Sequence, residues 1–245
     1  MNVAAPFATI GRWALDFALP PRCAACGTII DQLHSFCASC WKDVHFLGDG
    51  GCSACGLPLE GTDAGQCAVC LARPPRIERT RAAVEYDGVT RGLAIRLKYG
   101  RKVALARTMA RYMAPLLPAQ SDGTLIVPVP LHRSRLWWRG FNQAAIIARE
   151  LGRRSGLACS PFAIRRIKRT PSLRGLNGSQ RRRAVAGAFS ADPMVVAGKT
   201  IILIDDVLTT GSTADGCARA LKKAGAARVE LISWARVVRP AQFMR

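Results

Sequence analysis

Apolar and polar positions alternate along this chain in two periods. Phe7, Ile10, Trp13, Ala14 and Phe17 recur at helical spacing, so residues 1–20 are expected to form an N-terminal amphipathic helix docked on the body. A helix lying on a membrane surface is the alternative reading of that stripe. Ala82–Tyr86 reads as a strand. Val89–Leu117 alternates apolar and basic residues at helical spacing, with a break at Tyr99-Gly100. Thr124–Val129 is a short apolar strand that stops at Pro128 and Pro130. Gln143–Arg154 is helical, with Ala144, Ile147, Ala148 and Leu151 on one face. Phe162–Ile167 and Ala186–Phe189 read as short strands. Thr200–Ile204 is a continuous apolar, β-branched run, the pattern of a strand buried on both faces. Thr213–Ala224 is a helix stopped by Gly225, and Val229–Trp234 a closing strand. Strands alternating with helices predict an α/β fold, a parallel sheet with helices on both faces.

The stretch ahead of this pattern is different. Eight of the ten cysteines lie between Cys23 and Cys70, in four Cys-x-x-Cys pairs. Cys23/Cys26 is followed by Cys37/Cys40 after a gap of ten residues, and Cys52/Cys55 by Cys67/Cys70 after eleven. Each unit is too short to hold a core alone. Two such pairs can surround one Zn²⁺ tetrahedrally, which predicts two structural zinc ions in a zinc-ribbon module spanning 21–75. Either adjacent pairs share a metal, or the first pair joins the third and the second the fourth. All-cysteine sites leave no open coordination position, so no catalysis is assigned to the metal. Clustered doublets also suit a reducing compartment, which predicts a cytoplasmic protein. Pro74-Pro75 closes the module, and residues 76–240 form the second domain. Cys159 and Cys217 read as small buried apolar residues.

Chemistry concentrates after the apolar run at 200. Asp205 and Asp206 follow it directly, and carboxylates are too costly to leave inside a sheet. They mark the carboxyl edge, where α/β folds bind ligands. Thr209, Thr210, Gly211, Ser212 and Thr213 come next, just before a helix. Their hydroxyls and the free amides of the helix start can hold phosphate oxygens, while Gly211 allows the tight turn. The acid pair is then free to hold vicinal ribose hydroxyls.

This segment resembles the signature of type I phosphoribosyltransferases. With the four Cys pairs, Leu97-Lys98-Tyr99-Gly100, Val127-Pro128-Val129-Pro130-Leu131-His132 and Arg139-Gly140-Phe141-Asn142-Gln143, the chain resembles the ComF (competence protein F) family of amidophosphoribosyltransferase-like proteins. The resemblance implies a type I phosphoribosyltransferase fold that binds phosphoribosyl pyrophosphate or ribose 5-phosphate with Mg²⁺. Asp205 and Asp206 would hold the ribose and Thr209–Thr213 the 5′-phosphate. Leu131, His132 and Arg133 would form the pyrophosphate loop, with Arg139 and Asn142 near it. The family name implies a link to DNA uptake, with a competence helicase or recombination proteins as partners. The chain departs from the family pattern in the hood segment Thr170–Phe189, where Leu173 and Ala184 replace expected amides. Thr209 stands where purine-salvage enzymes carry a carboxylate, so purine salvage is disfavoured.

Net charge is +20, from 36 Lys and Arg against 16 Asp and Glu, which predicts polyanionic partners. Arg91–Arg111 and Ile164–Arg183 contain no acid. Arg135, Trp137 and Trp138 interleave cations with aromatics, a composition suited to single-stranded nucleic acid, and Lys98 and Arg101 extend the basic set. The alternative is that the two tryptophans close the pocket or pack as core. For Arg181, Arg182 and Arg183, contact with pyrophosphate is a third option. No stretch approaches the ~18 uninterrupted apolar residues of a transmembrane helix, so no stable membrane insertion is expected. Two functions remain open: a transferase of phosphoribose to an unidentified acceptor, or a non-catalytic single-stranded-DNA-binding competence factor with a regulatory or vestigial pocket.

Overall fold

The computed structural model describes residues 20–48, 51–59, 65–118, 122–170, 180 and 183–238. The expected N-terminal helix and the positions Leu173, Arg181 and Arg182 lie outside the described residues.

Two one-turn helices, α1 (Ala38–Lys42) and α2 (Ala68–Ala72), belong to the cysteine module. The body then runs β1 (Arg79–Glu85), α3 (Gly88–Tyr99), α4 (Leu105–Met113), β2 (Thr124–Pro128), α5 (Arg133–Arg139), α6 (Gln143–Ser155) and β3 (Ala158–Cys159). It continues with β4 (Ile164–Arg166), β5 (Phe189–Ala191), α7 (Pro193–Val196), β6 (Thr200–Leu208), α8 (Ser212–Lys223) and β7 (Arg228–Arg236). Five strands form one parallel sheet in the order β1-β7-β6-β2-β3. β4 and β5 form a separate antiparallel pair. The predicted α/β class and parallel sheet are therefore present. Helix α5 is an addition: its cationic and aromatic residues carry no apolar stripe, and none of them is buried.

Strand alternation divides the core. Ile202 and Ile204 face α3, α4 and α6, while Ile201 and Leu203 face α8 and the β4–β5 pair. Every residue from Ile201 to Ile204 is fully buried, as its unbroken apolar run requires. Two sequence expectations need correction. The strand expected at Ala186–Phe189 begins only at Phe189 and runs to Ala191, the residues before it forming a turn. The apolar run predicts a strand ending at Ile204, yet β6 continues to Leu208, because β7 keeps pairing with it as far as Leu208↔Arg236. β2 stops pairing earlier, at Pro128↔Ile204. Pro130 brings no N–H to prolong the ladder. Beyond Ile204, β6 is thus supported on one side and open on the other.

The cysteine module packs against this sheet. Cys23, Phe36 and Val44 join the core that contains Leu97, Met109 and Trp234. Arg96 donates from both terminal nitrogens to the carbonyls of Ala24 and Ala25, each at 2.8 Å. The segment between the two units lies antiparallel along β1, with Phe46 bridging Val84 and the Glu85 amide donating to the His45 carbonyl at 2.9 Å. This covers the outer edge of β1, which would otherwise expose unpaired backbone groups. In the second unit, a Cβ on Gly56 would stand 2.4 Å from the Thr80 carbonyl oxygen, and φ is +68°. Only glycine lets that knuckle approach the strand so closely.

Candidate functional site

Four segments meet at the open side of β6. Successive strand residues point to opposite faces, so Asp206 turns toward α3 and Asp205 toward α8. Asp206 is buried and meets Lys98 Nζ at 2.9 Å. Asp205 is half-buried, and its Oδ1 accepts from the Asp206 amide at 2.9 Å. Burial, then the neighbouring Asp206 charge, pushes the Asp205 carboxyl up to about 8, with Lys98 opposing. Burial alone would lower the Lys98 pKa, but Asp206 and Asp205 outweigh it and hold the ammonium above its ordinary value.

These groups line a cavity of about 520 Å³. The loop Val129–Leu131 after β2, Tyr99 at the end of α3, and Thr209 and Thr213 around the start of α8 also border it. So do Arg135 and Arg139 of α5, Asn142 and Gln143 at the start of α6, and Arg166 of β4. Gly211 has φ +71° and caps α8, so the turn of 209–213 is left-handed where only glycine sits without strain. Thr210 and Ser212 exchange a hydrogen bond at 3.0 Å, while Thr209 and Thr210 are exposed. The amides that open the 12-residue helix α8 follow directly, in the arrangement that favours anions. Thr210, Gly211 and Ser212 border a second hollow, of about 260 Å³, on the side of the Arg73–Ile77 linker.

The structure brings together Asp205, Asp206, Thr209, Thr213, Leu131, Arg139 and Asn142. It does not bring His132 or Arg133 into the cavity. His132 caps α5, its Nδ1 accepting from the Ser134 amide at 3.2 Å, and Arg133 borders the outer surface of that helix. Asn142 caps α6 through the Ala144 amide at 3.1 Å and donates to the Val129 carbonyl at 3.0 Å. It therefore ties the loop after β2 to the helix. Arg139 stacks on Tyr99 at 5.3 Å and donates to Gln143 Oε1 at 3.0 Å.

Gln143 and Arg166 are site residues to which sequence reasoning assigned no role. Arg139 Nε, Gln143 Nε2 and Arg166 Nε are buried donors with no hydrogen-bond partner. The residues that border the cavity with the acid pair thus include three with a buried, unpaired donor, the kind of polar group native folds rarely leave unsatisfied. Gln143 was visible as part of a motif, but Arg166 looked like any other cation in the run 164–183.

The residues grouped as nucleic-acid contacts separate. Lys98 pairs with Asp206 inside the cavity, and Arg101 is exposed in a left-handed turn with φ 51°. Trp137 and Trp138 are 88% and 69% exposed, so neither packs as core. With Arg135, Arg166, Arg169 and Thr170 they border a groove of about 480 Å³ beside the acid-pair cavity.

The cysteines form two clusters, Cys23/Cys26/Cys37/Cys40 and Cys52/Cys55/Cys67/Cys70, with the sulfurs of each within 4.8 Å of one another. Adjacent pairs therefore share a site. For Zn–S bonds of about 2.3 Å, a tetrahedron has edges of about 3.8 Å. Cys26 and Cys37 lie 3.6 Å apart, and Cys55 and Cys67 3.8 Å. The Cys37 amide donates to Cys23 Sγ at 3.3 Å, and the Cys67 amide to Cys52 Sγ at 3.3 Å. Both clusters fit structural zinc.

Fold, acid pair and cysteine clusters together define a phosphoribosyltransferase-type α/β domain joined to a double zinc ribbon. Residues 14–76 match the double zinc ribbon domain family, and residues 139–240 the phosphoribosyl transferase domain family. The chain is 33% identical over 186 residues to the DNA utilization protein YhgH of Salmonella typhi, covering 74% of this chain and 81% of that one. It is 30% identical over 225 residues to competence protein F of Haemophilus influenzae, covering 88% and 96%. It is 24% identical over 228 residues to competence protein ComFC of Streptococcus pneumoniae, covering 88% and 100%. The chain belongs to the competence protein F family.

Three outcomes are expected from this geometry. Metal analysis should give about two zinc ions per chain. Cys26→Ser should lower the melting temperature further than Cys55→Ser, because the first cluster shares the main core while the second has a small core of its own. Asp205→Asn should raise the melting temperature at pH 7.5. The native carboxyl titrates near 8 when folded and near 3.8 when unfolded, so its ionisation opposes folding increasingly as pH rises through that window. The gain should be on the order of 1 kcal/mol per pH unit and vanish near pH 4, as read by thermal melts across pH.

Proposed function

We propose that the acid-pair cavity binds phosphoribosyl pyrophosphate, or ribose 5-phosphate, within a 76–240 domain, with residues 21–75 serving as a zinc-held module. The observation that carries this reading is a cavity bordered at once by two carboxyl groups, by Arg135, Arg139 and Arg166, and by Thr209 and Thr213 at a threonine-rich helix start. Asp205 and Asp206 accept from the ribose hydroxyls, Thr209–Thr213 takes the 5′-phosphate, and the Val129–Leu131 loop with Arg139 faces the pyrophosphate. Ligand binding has to share or displace the Lys98–Asp206 ion pair. Mg²⁺ entering with the pyrophosphate would offset its charge, and the acid pair is the only anionic group bordering the cavity among the described residues.

Such a pocket supports phosphoribosyl transfer. The C1–O bond breaks with its electron pair leaving on pyrophosphate, and an acceptor lone pair forms the new bond at C1. The carboxylates favour the positive charge that builds on the sugar in between. Thr209 is no general base, so the acceptor is one that needs no carboxylate there to take its proton.

A second reading has its own observation. The exposed Trp137 and Trp138 beside Arg135 and Arg169 suit stacking and phosphate contacts to a single strand. A role in DNA uptake, with a competence helicase or recombination proteins as partners, follows from the relatives named for competence and DNA utilization. Among the described residues, no helix is long and apolar enough to cross a membrane. The clustered Cys-x-x-Cys pairs, read as zinc ligands, suit a reducing cytoplasm.

Isothermal titration of the zinc-loaded protein with phosphoribosyl pyrophosphate and Mg²⁺ should show binding that weakens about tenfold or more in the Asp205→Ala/Asp206→Ala variant. Absence of heat with the native chain would overturn the pocket reading. Oligothymidylate affinity should fall with salt, with a logarithmic slope near −0.7 per phosphate contacted. Trp137→Ala/Trp138→Ala should cost about 1–3 kcal/mol per stacked base and leave that slope unchanged. A flat salt dependence would argue against phosphate contacts.

A further inference from the structure

Three charged side chains are buried among the described residues: Arg166, Asp206 and Glu230. Two have an opposite charge beside them. Lys98 stands 2.9 Å from Asp206, and Arg228 2.7 Å from Glu230. Arg166, only 7% exposed, forms no ion pair among the described residues. The whole segment 164–183 around it contains no Asp or Glu.

The guanidinium is nonetheless held firmly. One terminal nitrogen donates to Thr170 Oγ1, and the group lies over the Phe189 ring at 5.3 Å. Backbone pairing between His132 and Arg166 fixes β4 to the start of α5. Its Nε remains buried and unpartnered. Burial and the neighbouring Arg135 charge both hold the Arg166 pKa below its ordinary value. A buried cation facing another cation, with no counter-charge, is costly unless an anion arrives from outside.

Arg166 and Arg135 both border the acid-pair cavity, and both also border the tryptophan groove next to it. We infer that Arg135 and Arg166 form one anion receptor shared by the two hollows, so that a pyrophosphate group in the cavity and a single strand in the groove exclude one another. This rests on the reading of both hollows proposed above. With one terminal nitrogen of Arg166 committed to Thr170, its remaining donors serve one phosphate at a time. Two phosphates drawn to the same pair of guanidinium groups would repel each other in a poorly solvated site. The strand is then held while the cavity is free of pyrophosphate and released when pyrophosphate occupies it.

The test uses the full zinc-loaded chain, fluorescein-labelled oligothymidylate and inorganic pyrophosphate with Mg²⁺, with KCl adjusted to constant ionic strength. Anisotropy should show the apparent dissociation constant of the oligonucleotide rising about tenfold or more as pyrophosphate saturates, with sulfate at equal ionic strength having little effect. Arg166→Gln should weaken both ligands several-fold and abolish their competition, while Trp137→Ala/Trp138→Ala should weaken the oligonucleotide and leave pyrophosphate heats unchanged. Arg166→Lys, which keeps the charge, should retain part of the competition. Unchanged oligonucleotide affinity at saturating pyrophosphate would overturn the inference, because the native chain would then hold both ligands together. A native chain that binds pyrophosphate but no oligonucleotide would overturn it while leaving the pocket reading intact. A chain that binds neither would overturn both.

Discussion

Two carboxylates in the middle strand of a parallel sheet can persist only where water, a cation or a ligand reaches them. In this protein the opening is made by unequal strand lengths. β6 runs on to Leu208 alongside β7, while β2 has already stopped at Pro128. The missing partner leaves a notch at Asp205 and Asp206, and the rest of the site is arranged around it. Lys98 reaches across from α3 to pair with Asp206. The loop after β2 is tied back by Asn142, which keeps the notch clear. Gly211 then turns the chain sharply into α8, so that the helix start lies beside the acids.

Other residues bordering the cavity have the reverse chemistry. Arg139, Gln143 and Arg166 each carry a buried nitrogen with no partner. The cavity therefore combines acceptors from the acid pair with the cationic side chains of Arg135, Arg139 and Arg166. The same contrast explains why half-buried Lys98 and buried Arg166 differ in availability. Lys98 has its counter-charge within the fold, and Arg166 does not.

The zinc module is part of the body as much as an appendage to it. Cys23, Phe36 and Val44 share a core with α3, α4 and β7, and Arg96 grips the carbonyls beside the first knuckle. The second unit stands closer to the site. Arg236, at the end of β7, donates to the Cys55 carbonyl, and its strand position pairs with Leu208, the residue before the 209–213 turn. A metal-held knuckle therefore buttresses the strand end from which that loop departs.

Much of this was legible in the linear order of residues, for physical reasons that act locally. Four Cys-x-x-Cys pairs define chelates whatever surrounds them. An unbroken apolar run at 200–204 needs burial on both faces, and Asp-Asp followed by Thr-Thr-Gly-Ser-Thr carries its donors and acceptors in one short segment. Alternating strands and helices were enough for the parallel sheet. What depended on distance in sequence was decided by the tertiary structure. Adjacent cysteine pairs share a site because each unit folds on itself against β1 and α3. β6 outlasts its apolar run because β7 continues beside it. His132 caps a helix that has no apolar stripe to announce it, and Lys98 meets Asp206 across more than a hundred residues. Arg166 has the same composition around it as its neighbours in a basic run. Only packing against Phe189 across the β4–β5 pair, in a segment without an acid, makes it a buried cation in need of an anion.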